Sequence, residues 1–168
     1  MKALRPIVLA LALAGLAVSS ASAAEVEKLS WRVMDHWLSG SAGQITSRFA
    51  NKTIQIKVTR KALGKLQGGP PTGSVILYLA KGGKMLTWTA NAKAVGTGRW
   101  EIKSMGMGVE IPCFYFDGSK GRSECFFGGT ANYVEAAAGN VFGLEAGAPV
   151  PSRLGNGTIS GVARKLGL

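Results

Sequence analysis

Cys113 and Cys125 are the chain's two cysteines, and the stretch that carries them is the most legible part of its 168 residues. Val109 to Gly129 reads Val-Glu-Ile-Pro-Cys-Phe-Tyr-Phe, then Asp-Gly-Ser-Lys-Gly, then Arg-Ser-Glu-Cys-Phe-Phe-Gly-Gly. Two β-rich runs flanking a turn cluster form the pattern of a hairpin. Centring the turn on Ser119 sets Cys113 directly opposite Cys125. Opposed Cβ atoms in an antiparallel pair lie roughly 4.5–5.5 Å apart, and a disulfide needs about 3.5–4.5 Å, so a small adjustment closes the bond. The spacing is not the C-x-x-C of a redox pair. No Cys or His cluster completes a zinc site, so the expectation is a structural disulfide with no metal or cofactor.

Other chemistry-bearing residues are sparse. His36 is the only histidine and follows Asp35. Neighbours in sequence do not face each other on a helix, so Asp35 would not orient it. The acids Glu101, Glu110, Asp117 and Glu124 are the candidates for a carboxylate pair of the glycosidase kind, but nothing places two of them in an apolar cleft. No G-x-S-x-G elbow and no strand–GxGxxG–helix loop occurs. Asn51-Lys52-Thr53 and Asn156-Gly157-Thr158 match the N-glycosylation pattern.

Cations are the stronger theme. The chain has 20 Lys and Arg against 9 Asp and Glu, a net charge of +11. Lys57, Arg60, Lys61 and Lys65 cluster in sequence, as do Lys81 and Lys84, and Arg99 adjoins Trp100. If these converge on one face they make a surface for an anionic envelope component or partner protein. The plainer reading is a solvated face whose lysines guard sheet edges. Nucleic-acid binding would want exposed aromatics for stacking, whereas Trp88 and Trp100 read as buried.

The elements that position these residues follow from periodicity. Met1 to Ala23 has the pattern of a secretory signal: Lys2 and Arg5, the apolar run Pro6–Val18, then Ala21-Ser22-Ala23. The run is shorter than the ~20 residues that span a bilayer. An exported address, periplasmic or secreted, follows, and it suits a disulfide. Glu25 to Leu38 reads as a helix with Val26, Leu29, Val33 and Trp37 on one stripe, stopped by Gly40, Ser41 and Gly43. Trp31 falls off that stripe. Strands are expected at Phe49–Thr59, Ser74–Ala80, Lys84–Ala90 and Val95–Lys103, then the cysteine hairpin. Thr130–Ala138 is either a last strand or a short helix. In Ile54, Ile56 and Val58 one face is buried and the other wet. Trp88 with Leu86 and Trp100 with Ile102 are expected in one core. Pro112 marks an edge or a bulge. The Gly- and Pro-punctuated stretch 139–168 is expected to be a flexible tail.

The fold class is therefore mainly β: an N-terminal helix on a six- to seven-stranded antiparallel curved sheet or small β-barrel, one disulfide hairpin, and a tail. Three regions result: a signal at 1–23, the helix and sheet at 24–138, and the tail at 139–168.

The order of the Gly83-Lys84 turn, Gly98-Arg99-Trp100, Cys113 and Cys125 resembles small exported alphaproteobacterial domains with a G-x-G-x-W…C…C pattern. The resemblance covers Ser74 to Gly129. It implies a compact β fold outside the cytoplasm and no catalytic residues. The functional expectation is a non-enzymatic domain that binds an envelope component or partner through Lys57, Arg60, Lys61, Lys65, Lys81, Lys84 and Arg99. The alternatives are a calycin-like carrier holding a small apolar ligand near Trp37, Trp88 and Trp100, and a hydrolase using carboxylates.

Overall fold

The computed structural model describes residues 25–58, 73–117, 123–125 and 131–168. Its centre is one open antiparallel sheet of eight strands, not a closed barrel. In chain order the strands are β1 (Val26–Lys28), β2 (Lys52–Val58), β3 (Gly73–Leu79), β4 (Lys84–Thr89), β5 (Gly96–Ser104), β6 (Glu110–Phe116), β7 (Ser123–Cys125) and β8 (Ala131–Ala138). Their order across the sheet is β1-β8-β2-β3-β4-β5-β6-β7. The middle is a meander of neighbours joined in sequence. Only β8 crosses over, to lie between β1 and β2. The two described edge strands, β1 and β7, are three residues long.

The N-terminal helix is shorter than its apolar stripe suggests. Val26–Lys28 pairs with β8, and α1 (Trp31–Leu38) starts only after Ser30, whose side chain accepts from the Val33 N–H. A second helix, α2 (Ala42–Phe49), occupies the place read as a stop and the start of a strand. Ser41 is its N-cap, and Gln44 completes a capping box by accepting from the Ser41 N–H at 2.9 Å, so two orphan donors are satisfied reciprocally. Arg48 ties the helices together: its Nη1 donates to the carbonyls of His36 (2.7 Å), Trp37 (3.2 Å) and Ser39 at the end of α1. A cation there also suits the negative end of the helix dipole.

Both helices cover one face of the sheet. Trp37, Ile45 and Phe49 pack there on Ile54, Ile56, Val75, Leu77, Trp100 and Phe114, and Trp37 meets Phe49 edge-on at 5.1 Å. Trp31 is left exposed.

The opposite face is the main departure from the sequence reading. It is not wet across β2 and β3, and residues 139–168 are not a flexible tail. Phe142, Leu144, Leu154, Ile159 and Val162 are buried against Ile76, Trp88 and Ala137. The segment closes with α3 (Ile159–Leu166), N-capped by Thr158 and ended by Gly167 at φ 73°. Gln55, Ser74 and Glu135 under it are paired, whereas the buried Trp88 indole N–H has no partner among the described residues. Gln55 Nε2 donates to Gly157 O at 2.7 Å and to Ser74 Oγ at 2.6 Å, while its Oε1 accepts from the Ile159 N–H. Glu135 accepts from the Ser160 N–H and hydroxyl at 2.8 and 2.7 Å. A buried polar residue that satisfies its partner in this way costs little and fixes one docking geometry.

Trp88 and Trp100 do not share a core. The register pairs Ile76 with Trp88 and Lys84 with Arg99. With a side-chain period of two, Trp88 lies on the α3 face and Trp100 on the helix-pair face. Trp88 meets Phe142 there, ring centroids 5.3 Å apart.

Candidate functional site

The disulfide hairpin is where the sequence places it. Cys113 and Cys125 are register partners between β6 and β7 and are bonded, with Cα atoms 4.0 Å apart. Pro112 lies one residue beyond the described β6–β7 ladder, opposite Ile102. Its missing N–H therefore removes no described rung, although its strand is not the edge expected, since β7 lies outside β6.

The cations divide into groups. Lys84 stands directly opposite Arg99, both exposed, on the sheet face that carries α3 but beyond the C-terminal segment's packing. Lys81, also exposed, begins the turn just before Lys84. Gly82 and Gly83 in that turn have φ of 87° and 85°, a conformation that glycine adopts without strain. Trp100 holds the turn down from below: its backbone N–H donates to Gly83 O at 2.7 Å and its indole N–H to Ala80 O at 3.0 Å. Neither Lys81 nor Lys84 forms an ion pair with a described residue.

Lys57 is on the same face but at the other end, beside Ser74 and Asn132. The pairings place it six residues from the level of Lys84, roughly 20 Å along the strand. It does not join the others. Arg60, Lys61 and Lys65 lie outside the described residues. The structure therefore brings together Lys81, Lys84 and Arg99.

To these it adds Lys103, the last residue of the strand expected from Val95. Arg99, Glu101 and Lys103 alternate along β5, and Tyr115 faces Arg99 from β6. The Arg99 guanidinium lies 3.5 Å from the centre of the Tyr115 ring, and the Lys103 ammonium 5.2 Å. Glu101 sits between the two cations, 3.5 Å from each, and accepts from the Tyr115 hydroxyl. That hydrogen bond is the main cause holding the Glu101 carboxyl below its ordinary 4.5; burial, next in size, opposes it, and the charges of Lys103 and Arg99 add to the lowering. Lys103 is raised above its ordinary 10.5, first by the Tyr115 hydroxyl and then by Glu101. The result is a cationic corner of three lysines and an arginine, with Glu101 in ion-pair contact and Asp117 one step further along the same face, on Thr97.

The remaining candidates are dispersed. His36 is exposed, and its described contacts are made by its backbone carbonyl. Asp117 accepts from the Thr97 hydroxyl, and Glu124 is the register partner of Phe114. Asn51 uses its side chain locally: at φ 56° it turns α2 into β2 and accepts from the Tyr78 hydroxyl at 2.9 Å. Trp37 and Trp100 are on one face and Trp88 on the other, so the three do not line a common pocket. An open groove of about 460 Å³ lies between the β4–β5 connection and the C-terminal segment, lined by Ala90, Asn91, Ala92, Val150, Ser152 and Arg153.

Among the described residues no group of three His, Cys, Asp or Glu could hold a metal ion, and no helix is long and apolar enough to cross a membrane. The disulfide is consistent with an oxidising compartment outside the cytoplasm. No protein-family model, curated protein or solved structure matches this chain.

Proposed function

We propose that this chain is an exported, non-enzymatic binding domain that holds an anionic envelope component at the corner formed by Lys81, Lys84, Arg99 and Lys103. The observation that supports it is the Lys84–Arg99 pair. Like charges directly opposite each other on neighbouring strands lower stability. Glu101 relieves Arg99 and Lys103 but not Lys84. An anion seated between Lys84 and Arg99 converts that repulsion into binding energy. The rigidity of the corner also favours binding, because the Tyr115 ring and Glu101 already fix the Arg99 side chain, so less rotamer freedom is lost on association.

The test uses a soluble sulfated polysaccharide as probe. Binding is expected at low salt and weakens as ionic strength rises towards physiological values, where the screening length falls to about 8 Å. The K81Q/K84Q variant, which breaks no ion pair among the described residues, binds several-fold more weakly. No binding, or binding indifferent to both salt and these substitutions, removes the proposal.

A further inference from the structure

The hairpin of β5 and β6 extends past β4. The β4–β5 ladder ends at Lys84–Arg99, whereas β5 and β6 stay paired out to Ser104 and Glu110. At the tip, Met105 and Val109 exchange a backbone hydrogen bond of 2.8 Å across Gly106-Met107-Gly108. All three of these residues have positive φ, Met107 at 49°. The tip is apolar and uncovered. Met107 is 102% exposed, Met105 60% and Val109 37%, and these are three of the five large apolar side chains left exposed among the described residues. The core does not use them. The positive φ of Met107 closes the turn, but the turn does not require a large apolar side chain at that position.

The surroundings indicate what covers them. Lys103 lies two residues before Met105, and the corner of Arg99, Lys84 and Lys81 follows behind it along the arm. Glu110, half-buried opposite Ser104, is the acid nearest in register. An apolar point backed by a cationic collar is the pattern of a surface-seeking element: apolar side chains enter the boundary of headgroups and acyl chains while cations meet lipid phosphates.

Building on the anion-binding corner, we propose that the occupant is an anionic lipid surface and that the Met105–Val109 tip inserts into it. Met105, Met107 and Val109 enter the acyl boundary, Lys103 beside them contacts phosphate groups, and Arg99, Lys84 and Lys81, about 20 Å further back along the arm, add longer-range attraction to the anionic surface. The long unbranched methionine side chains suit a fluid partner, since they adapt to whatever packing it offers.

Sedimentation with vesicles tests this, using full-length wild type and M105S/M107S so that everything outside the tip is common to both. Wild type co-sediments with phosphatidylglycerol vesicles more than with phosphatidylcholine vesicles. The double substitution lowers the partition coefficient about tenfold or more, as lost apolar insertion requires, and leaves binding to the soluble polyanion unchanged. A position-specific readout comes from M107C carrying an environment-sensitive fluorophore, whose emission shifts to the blue when phosphatidylglycerol vesicles are added. If M105S/M107S partitions like wild type, or the label at 107 does not shift, tip insertion is overturned. If wild type binds the polyanion but not the vesicles, the lipid assignment is overturned and the anion-binding corner stands. If it binds neither, both fall.

Discussion

The Cα of Gly98 lies so close to the backbone carbonyl of Tyr115 that no side chain fits between them. A Cβ at Gly98 would collide with that oxygen and approach Met85 Cε to 2.8 Å. The obstacle on one side is backbone, which cannot rotate away. Gly98→Ala is therefore expected to lower stability by about 1–3 kcal/mol, the usual cost of overpacking. Urea denaturation reads this as a lower midpoint, and an unchanged midpoint would mean that the two strands separate more readily than their packing implies.

The disulfide fastens β7, the last described strand of the sheet, to β6. β7 is three residues long and sits at the sheet edge, with Cys113–Cys125 closing a loop of 12 residues. Reduction, or C113S/C125S, is expected to lower unfolding free energy by up to about 3 kcal/mol. Hydrogen exchange would show the loss of protection concentrated at β6 and β7 and not at β2 and β3.

Glu101 makes stability depend on acid. Its pKa is lowered in the folded protein relative to 4.5, first by the Tyr115 hydrogen bond and then by Lys103 and Arg99. A depressed folded value means that its contribution is present above about pH 4.5 and is lost as pH falls through the folded pKa. Glu101→Gln removes that contribution and leaves Arg99 and Lys103 without their carboxylate. The variant is expected to be the less stable protein at pH 7, with the two denaturation curves converging below pH 4.5. Parallel curves across that range would contradict it.

Tyr133 offers a substitution that stabilises. Its hydroxyl is buried with no hydrogen-bond partner among the described residues, and burial raises its pKa. The ring itself is well placed, edge-on to Phe49 at 6.2 Å. Tyr133→Phe keeps that contact and removes the unpaired group, so a gain of about 1 kcal/mol is expected. A thermal midpoint that falls instead would point to a partner for the hydroxyl.

The legible parts of the sequence were those with a short period. Alternation over Ile54, Ile56 and Val58 gave the face of β2, and the turn cluster around Ser119 gave the pairing of Cys113 with Cys125. The helix signals were present but were set against competing ones. Ser41 and Gln44 make a capping box, yet Gly40 and Gly43 beside them read as a stop. Ser30 caps α1, yet the apolar stripe runs back through Val26, which the sheet takes for β1. The C-terminal segment is illegible in the sequence because its anchors are sparse. Phe142, Leu144, Leu154, Ile159 and Val162 follow no single period, and the polar fastenings from Gln55 and Glu135 come from strands more than twenty residues away. The cationic corner was half-visible. Composition showed the charge, but register alone decided that Lys84 meets Arg99 while Lys57 stands at the far end.

The position of β8 bears on how the molecule can be made. Its two neighbours, β1 and β2, come from the start of the described chain, and the final helix then lies across β8 and its neighbours. During synthesis the earliest strand has no rung to occupy until about residue 135 has emerged, and one side of the sheet stays bare until the last turn of α3 is complete. The sheet therefore cannot be sealed on both faces before α3 is present, which makes its closure a late event in folding.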